Sequence, residues 1–547
     1  MYRTEGNYRQ LQLSAELRTI GLWTITLPLS KQVKAVLISP LKNKLISVYG
    51  SLAVGVLLCG GGWELSAQAQ QPRQLSEQRI AKLTLAGDRL ADQGDYLGAV
   101  EKYTRAYQGV VSRIRGQEFV APVQPSVFTR QELGAEMLKL MEQEYTPAEL
   151  ELMDASFKVL GLIPPDLDAA ALMTTLLTEE VAGFYDPDNK RMVLIVEEGA
   201  TAAPSWLGRL LGARPAFDKD EQKTTLAHEL THALQDQLYD LNAMEAGIEE
   251  DDDMLLAFSA LVEGDATLLM FVEAGDAQDV THMDADAMRA TFNIMSWMLP
   301  LAGGKTFRSA PPIFRDTLTF PYFQGMLFAL SLASEEGWKG VHAAYQKPPL
   351  STEQILHPSK YLSEVDLPQQ VVLPNYQELV EPAGWQHLGG NCLGELQTAS
   401  LLKRVFGGQL AAAGWDGDRY EVLRSAAGEL ALVYVSVWDS PEDAEEFATA
   451  YRTYRSQADD VANAAASAIP ITIDGSERPP APKRRGENRL KPILQQIFAS
   501  NSQREVRVEG DKVWIVEGFD ADLTSQILSR LDQCEYSEKE FPLPSSR

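Results

Sequence analysis

Residues Thr225–Gln237 read TLAHELTHALQDQ, and they hold two of the chain's six histidines, four residues apart, with a glutamate beside the first. The apolar spacing around them predicts a helix over Thr224–Leu241. On a helix, residues four apart share one face, so His228 and His232 would present two imidazoles to one point. Zinc favours such a pair. Glu229 is turned away by about 100°, which sets its carboxylate beside that point, where it can take a proton from a bound water. Zinc brings the pKa of such a water towards neutrality. The bland alternative is an exposed helix with two satisfied histidines. Histidine is scarce here, which argues against chance pairing.

A catalytic zinc needs a third protein ligand and an open fourth position. The next helical pattern supplies a candidate in ALVEGDATLLM (Ala260–Met270). Glu263 is a lone carboxylate in a largely apolar run, and it would strand a charge there unless something pairs with it. A metal is one such partner. The competing reading puts Glu263 at a solvated helix edge beside Gly264 and Asp265.

These segments resemble gluzincin metallopeptidases. HELTHA matches the zinc-helix motif of the thermolysin group, LVEGDA resembles the third-ligand motif LxEGxA of M1-type aminopeptidases, and FPYFQGMLFALSL (320–332) resembles their YxxG segment. The resemblance implies that His228, His232 and Glu263 bind Zn2+, that Glu229 is the general base and that Tyr322 steadies the oxyanion. A phenol suits that role because it donates without carrying a charge; a core aromatic is the alternative for Tyr322. The likeness spans roughly 180–340. It departs from the family in three ways. The 30 residues between His232 and Glu263 exceed the usual gap, and the excess includes the acidic run Glu249–Asp253, expected as a solvated loop. The GxMEN motif is absent. Position 267, where many gluzincins carry an orienting aspartate, is Thr, so Asp236 or Asp265 is expected to orient a histidine instead.

Elsewhere the sequence supplies context. Its 547 residues exceed one ordinary domain, and a formal charge of −27 excludes nucleic acid as a partner. Lys31, Lys34, Lys42 and Lys44 precede the apolar run 45–63 and then ELSAQAQQ, the order of a secretory signal with a cleavage site after Ala69. An uncleaved membrane anchor is the alternative. Either places the chain outside the cytoplasm: periplasmic, in the cell envelope or secreted. Cys392 and Cys534 remain after the leader, as one disulfide or as two buried thiols.

The expected organisation is a leader or anchor over 1–69, a helical hairpin over 76–112, a zinc metallopeptidase-like unit over 113–380 and a C-terminal α+β domain over 384–547. The hairpin resembles a single tetratricopeptide repeat, but one repeat cannot bury its own face. The expected fold class is α+β, mainly helical and zincin-like around the site. VAGFYDPDNKRMVLIV (181–196) reads as a strand pair about an Asp-Pro-Asp-Asn turn, with the strand from Arg191 to Glu197 as an edge on which a peptide substrate pairs. STEQILHPSKYL (351–362) is read as a packed linker, or as a loop bringing His357 to the cleft. The expected activity is peptide-bond hydrolysis. A zinc-stabilised envelope scaffold and a zinc hydrolase of other substrates are the alternatives.

Overall fold

A computed structural model describes residues 75–129, 145–180, 183–187, 189–196, 219–248, 251–274, 305–466 and 503–544, with a few short pieces between them. The leader or anchor expected over 1–69 lies outside the described residues.

Helices α1 (Glu77–Asp92) and α2 (Tyr96–Arg115) form the expected hairpin. Asp95 caps α2 by accepting from the Gly98 N–H at 3.0 Å. Gly87 lets Tyr103 lie flat on α1, because a β-carbon there would come within 2.5 Å of the tyrosine ring. The hairpin has no core of its own. Val100, Tyr103 and Tyr107 share one apolar cluster with Leu226, Leu230 and Leu234, which belong to the helix Lys219–Tyr239.

Helices α3 (Pro147–Val159) and α4 (Ala169–Glu180) come next in the chain. A three-stranded sheet then combines β1 (Gln124–Thr129), β2 (Gly183–Asp186) and β3 (Arg191–Val196) in the order β1-β3-β2. Strand β2 runs antiparallel to β3, whereas β1 runs parallel to it. This corrects the expectation that β3 is an edge: it is the central strand, and no peptide can pair with it. Its composition says so in retrospect, because Met192–Ile195 are all buried and a central strand carries apolar residues on both faces. The signal for β1 was weak, since QPSVFT contains a proline.

Helix α5 (Lys219–Tyr239) carries the two histidines, α6 (Asp252–Ala274) carries Glu263, and α7 (Pro312–Glu336) carries Tyr322. Every residue of α6 from Asp252 to Met270 is buried. Its length and composition would suit a membrane span, but it runs through the protein core. Asp251–Asp253, the described part of the acidic run, are not a solvated loop, which corrects a second expectation for those residues. Asp251 pairs with the buried Lys539 at 2.6 Å, the Asp252 N–H donates to Asn391 at 2.8 Å, and Asp253 accepts from the Thr352 N–H at 3.1 Å. Asp251–Asp253 open α6 and tie it to later parts of the chain.

Short helices α8 (Trp338–Ala344) and α9 (Thr352–Leu356) and strand β4 (Gln369–Val372) follow. The C-terminal part is a five-stranded antiparallel sheet in the order β5-β6-β7-β9-β8, from β5 (Trp385–Asn391), β6 (Trp415–Ser425), β7 (Leu430–Trp438), β8 (Arg504–Glu509) and β9 (Lys512–Glu517). Helices α10 (Gly394–Leu402), α11 (Pro441–Ala466) and α12 (Ala521–Leu531) accompany it. Ser440 caps α11 by accepting from the Asp443 N–H at 3.3 Å. Strand β10 (Glu535–Glu538) returns to pair with β4. Arg455 of α11, fully buried, donates to the Val159 carbonyl of α3 at 3.0 Å and pairs with Glu517 at 3.1 Å. The architecture is therefore α+β. Cys392 and Cys534 are both free thiols; Cys392 donates to the Asp418 carbonyl, and burial pushes its pKa well up.

Candidate metal centre

Helices α6 and α7 cross at two glycines. A β-carbon on Gly264 would lie 2.0 Å from the Gly325 carbonyl carbon, so neither position admits a side chain. Gly264 follows Glu263, and Gly325 is the glycine of the Tyr322–Gly325 segment. Their approach sets the glutamate of one helix and the tyrosine of the other against the histidine face of α5.

Three donor atoms converge there. His228 Nε2 and His232 Nε2 lie 3.0 Å apart, and Glu263 Oε2 lies 3.0 Å from the first and 3.2 Å from the second. All three residues are buried, with Glu263 only 7% exposed. The solvated-edge reading of Glu263 is thereby excluded. Donors bound 2.0–2.1 Å from one tetrahedral ion stand about 3.3 Å from each other, so the triangle fits a metal with little adjustment.

The protonation of the triangle favours a cation as well. The side chain of Gln235 donates through Nε2 to the Val262 carbonyl at 3.0 Å and to Asp265 at 2.8 Å. Both partners are acceptors, which turns the amide oxygen towards His232 Nδ1 at 2.8 Å. An amide oxygen only accepts, so His232 carries its hydrogen on Nδ1 and turns a lone pair on Nε2 towards Glu263. Two acceptors at 3.2 Å repel unless a positive charge lies between them, as a proton or a metal ion. Burial lowers the pKa of His228 and keeps its ring neutral, the form a metal binds. Burial alone would raise that of Glu263, but the flanking imidazoles outweigh it and hold the carboxyl well below its usual range.

Glu229 is 3% exposed and lies one residue on from His228. The Tyr322 ring stacks on His228, with ring centroids 6.0 Å apart and planes inclined at 22°. The five residues singled out in the sequence are thus brought to one buried place. Of the two aspartates expected to orient a histidine, Asp265 reaches His232 only through Gln235. Asp236 is taken by the Tyr185 hydroxyl at 2.9 Å and Lys190 at 2.7 Å, and so fastens α5 to the β2–β3 hairpin. Thr267 is buried in α6. Gln235 was overlooked in the sequence, although its place three residues after His232 puts it within reach of that ring.

Two further groups lie apart from the triangle. His357 bonds Glu395 of α10 at 2.9 Å, and Tyr361 donates to the Lys347 carbonyl while its ring packs against Phe328, so this stretch is a packed linker. Glu353, Asp366 and Asp439 form another acidic cluster. Its cation is Lys360, whose Nζ lies 2.7, 2.8 and 2.6 Å from the three carboxylates.

Among known families, a model described as a domain of unknown function (DUF8575) matches residues 386–528. It spans the five-stranded sheet and contains none of His228, Glu229, His232, Glu263 and Tyr322. No curated protein and no solved structure matches the chain.

Proposed function

We propose that this chain is an exported zinc metallopeptidase of gluzincin type, with a zincin-like catalytic unit built on α5, α6 and α7. The observation that carries the reading is the buried triangle of His228, His232 and Glu263, with Glu229 on the same helix turn. His228, His232 and Glu263 would hold the zinc. A zinc ion bound there supplies Lewis acidity, polarising a carbonyl and acidifying water. Three protein ligands among the described residues leave room for that water. Glu229 takes the proton of the attacking water and passes it to the leaving amine. The Tyr322 hydroxyl donates to the oxygen on which negative charge develops. Residues 1–69 direct export, by cleavage after Ala69 or as an anchor.

Burial of the whole set supports a second reading, a structural zinc in an envelope scaffold, since such sites are closed. One experiment separates the two. The purified full chain is expected to hold about one zinc and to cut members of a peptide library. Glu229→Gln should keep the zinc and lose the cleavage, and Glu263→Ala should lose zinc on dialysis. Zinc retention with no cleavage by the wild-type chain would favour the scaffold. Cleavage that survives Glu229→Gln would remove Glu229 from its role.

A further inference from the structure

Behind His232 runs a chain of buried polar groups that ends on a different part of the fold. Gln235, wholly buried, contacts His232 and Asp265. Asp265, also wholly buried, accepts from Gln235 and from the Tyr345 hydroxyl at 2.9 Å on one oxygen, and from Arg115 on the other. Arg115 is the last residue of α2, in the N-terminal hairpin, and is 3% exposed. Its fork is held on two further sides, by His342 and Trp338. Its Nη2 donates to His342 Nδ1 at 3.0 Å, its guanidinium lies 4.9 Å from the Trp338 ring, and the Tyr239 hydroxyl shares the same His342 nitrogen at 2.9 Å. With two donors on Nδ1, His342 acts there as an acceptor.

Taking this charge out of water is expensive for a helix-end arginine, and capping α2 needs none of it. A surface hairpin that only covered α5 would end in solvent. What the burial achieves is orientation. Arg115 offers Asp265 only donors, so both carboxylate oxygens stay acceptors; Asp265 fixes the Gln235 amide; and the amide fixes the ring hydrogen of His232.

We infer that Arg115 is a positioning residue for the metal centre, holding His232 in the Nδ1–H form through Asp265 and Gln235, so that the hairpin is part of the site. The metal arm of this inference rests on the zinc reading above, but the ring form is a property of the metal-free chain and is tested separately. Arg115→Met removes the charge and keeps the stem. Gln235→Met removes the relay while Asp265 keeps Arg115 and Tyr345.

Two readouts apply to the full-length chain. In metal-free protein carrying 15N-labelled histidine, His232 should show the Nδ1–H form, and both variants should release it to a mixture. Affinity for Zn2+, by competition with a chelator, should fall 10–100-fold in each variant. The double variant should be no weaker than Gln235→Met alone, because the two residues act through one chain. A purely structural Arg115 would instead give losses that add, and that result overturns the inference. It is also overturned if the ring form and zinc affinity of both variants match wild type. A wild-type chain that binds no zinc but shows the ring form freed by both variants overturns the function proposed above and leaves this inference standing. Should Arg115→Met not fold, Arg115→Lys serves in its place, since an ammonium cannot span Asp265 and His342 as the fork does.

Discussion

Gly264 and Gly325 stand back to back across the α6–α7 crossing, and a β-carbon on Gly325 would lie 2.1 Å from the Ala260 carbonyl oxygen. The obstacles are backbone atoms, which cannot turn aside as a side chain can. The two glycines therefore explain parts of both motifs that touch no metal: one follows the third ligand and the other follows Tyr322 by three residues.

Gly325→Ala tests this. Alanine favours a helix over glycine by up to about 1 kcal/mol, so the substitution would stabilise an unconstrained helix. Here the overpacking should dominate and destabilise by about 2–3 kcal/mol. Thermal unfolding should show a lowered midpoint, and zinc retention should fall with it because the crossing sets Glu263 against α5. An unchanged midpoint and unchanged zinc would mean that the helices are not held as close as described.

The convergence of the two histidines and Glu263 was legible because a site able to hold a metal ion demands particular residue types at particular spacings. Helices α5 and α6 were equally legible from their periodicity. Position in the sheet was misread: the unbroken apolar run of RMVLIV suits a central strand, and its partner on the other side, β1, was hard to see because QPSVFT contains a proline. The acidic run misled for a related reason. Asp251, Asp252 and Asp253 look solvated in sequence because their partners, Lys539, Asn391 and Thr352, lie about 100 residues or more away in the chain. The Arg115–Asp265 pair was hidden in the same way, by a separation of 150 residues.

Asp253 gives the protein a pH dependence with a definite sign. Burial pushes its carboxyl from 3.8 up to about 7; Lys539 and the Thr352 hydrogen bonds pull it down, and Asp251 adds to the rise. Its folded pKa therefore lies above its unfolded one. Its contribution to stability is fully present below about pH 4 and is lost as pH rises through about 7. The loss is up to about 4 kcal/mol at 1.36 kcal/mol per unit. Asp253→Asn is always neutral and should not show this decline. The wild-type chain should lose stability relative to the variant between pH 4 and 7, as read from urea midpoints at a series of pH values. Other buried acids, such as Asp418 at about 6, shift in the same direction but remain in both proteins. A constant difference across that range would show that Asp253 stays ionised in the folded state.

Tyr322 separates catalysis from packing. Its ring is buried and stacked on His228, so the ring has a structural role whatever the hydroxyl does. Tyr322→Phe keeps the stack and removes one donor. If the hydroxyl stabilises the oxyanion, its loss costs on the order of 3 kcal/mol at the transition state, or roughly a hundredfold in turnover. Zinc content and melting temperature should barely change, because the phenyl ring still fills the space beside His228. That pattern, activity lost with zinc and fold intact, is the expected one. A variant that matches wild type in turnover would leave Tyr322 as packing and return the oxyanion donor to the list of unknowns. A variant in which activity and zinc fall together would instead place the hydroxyl in support of His228, the ligand it stacks on. Kinetics, metal analysis and thermal unfolding on one preparation distinguish the three.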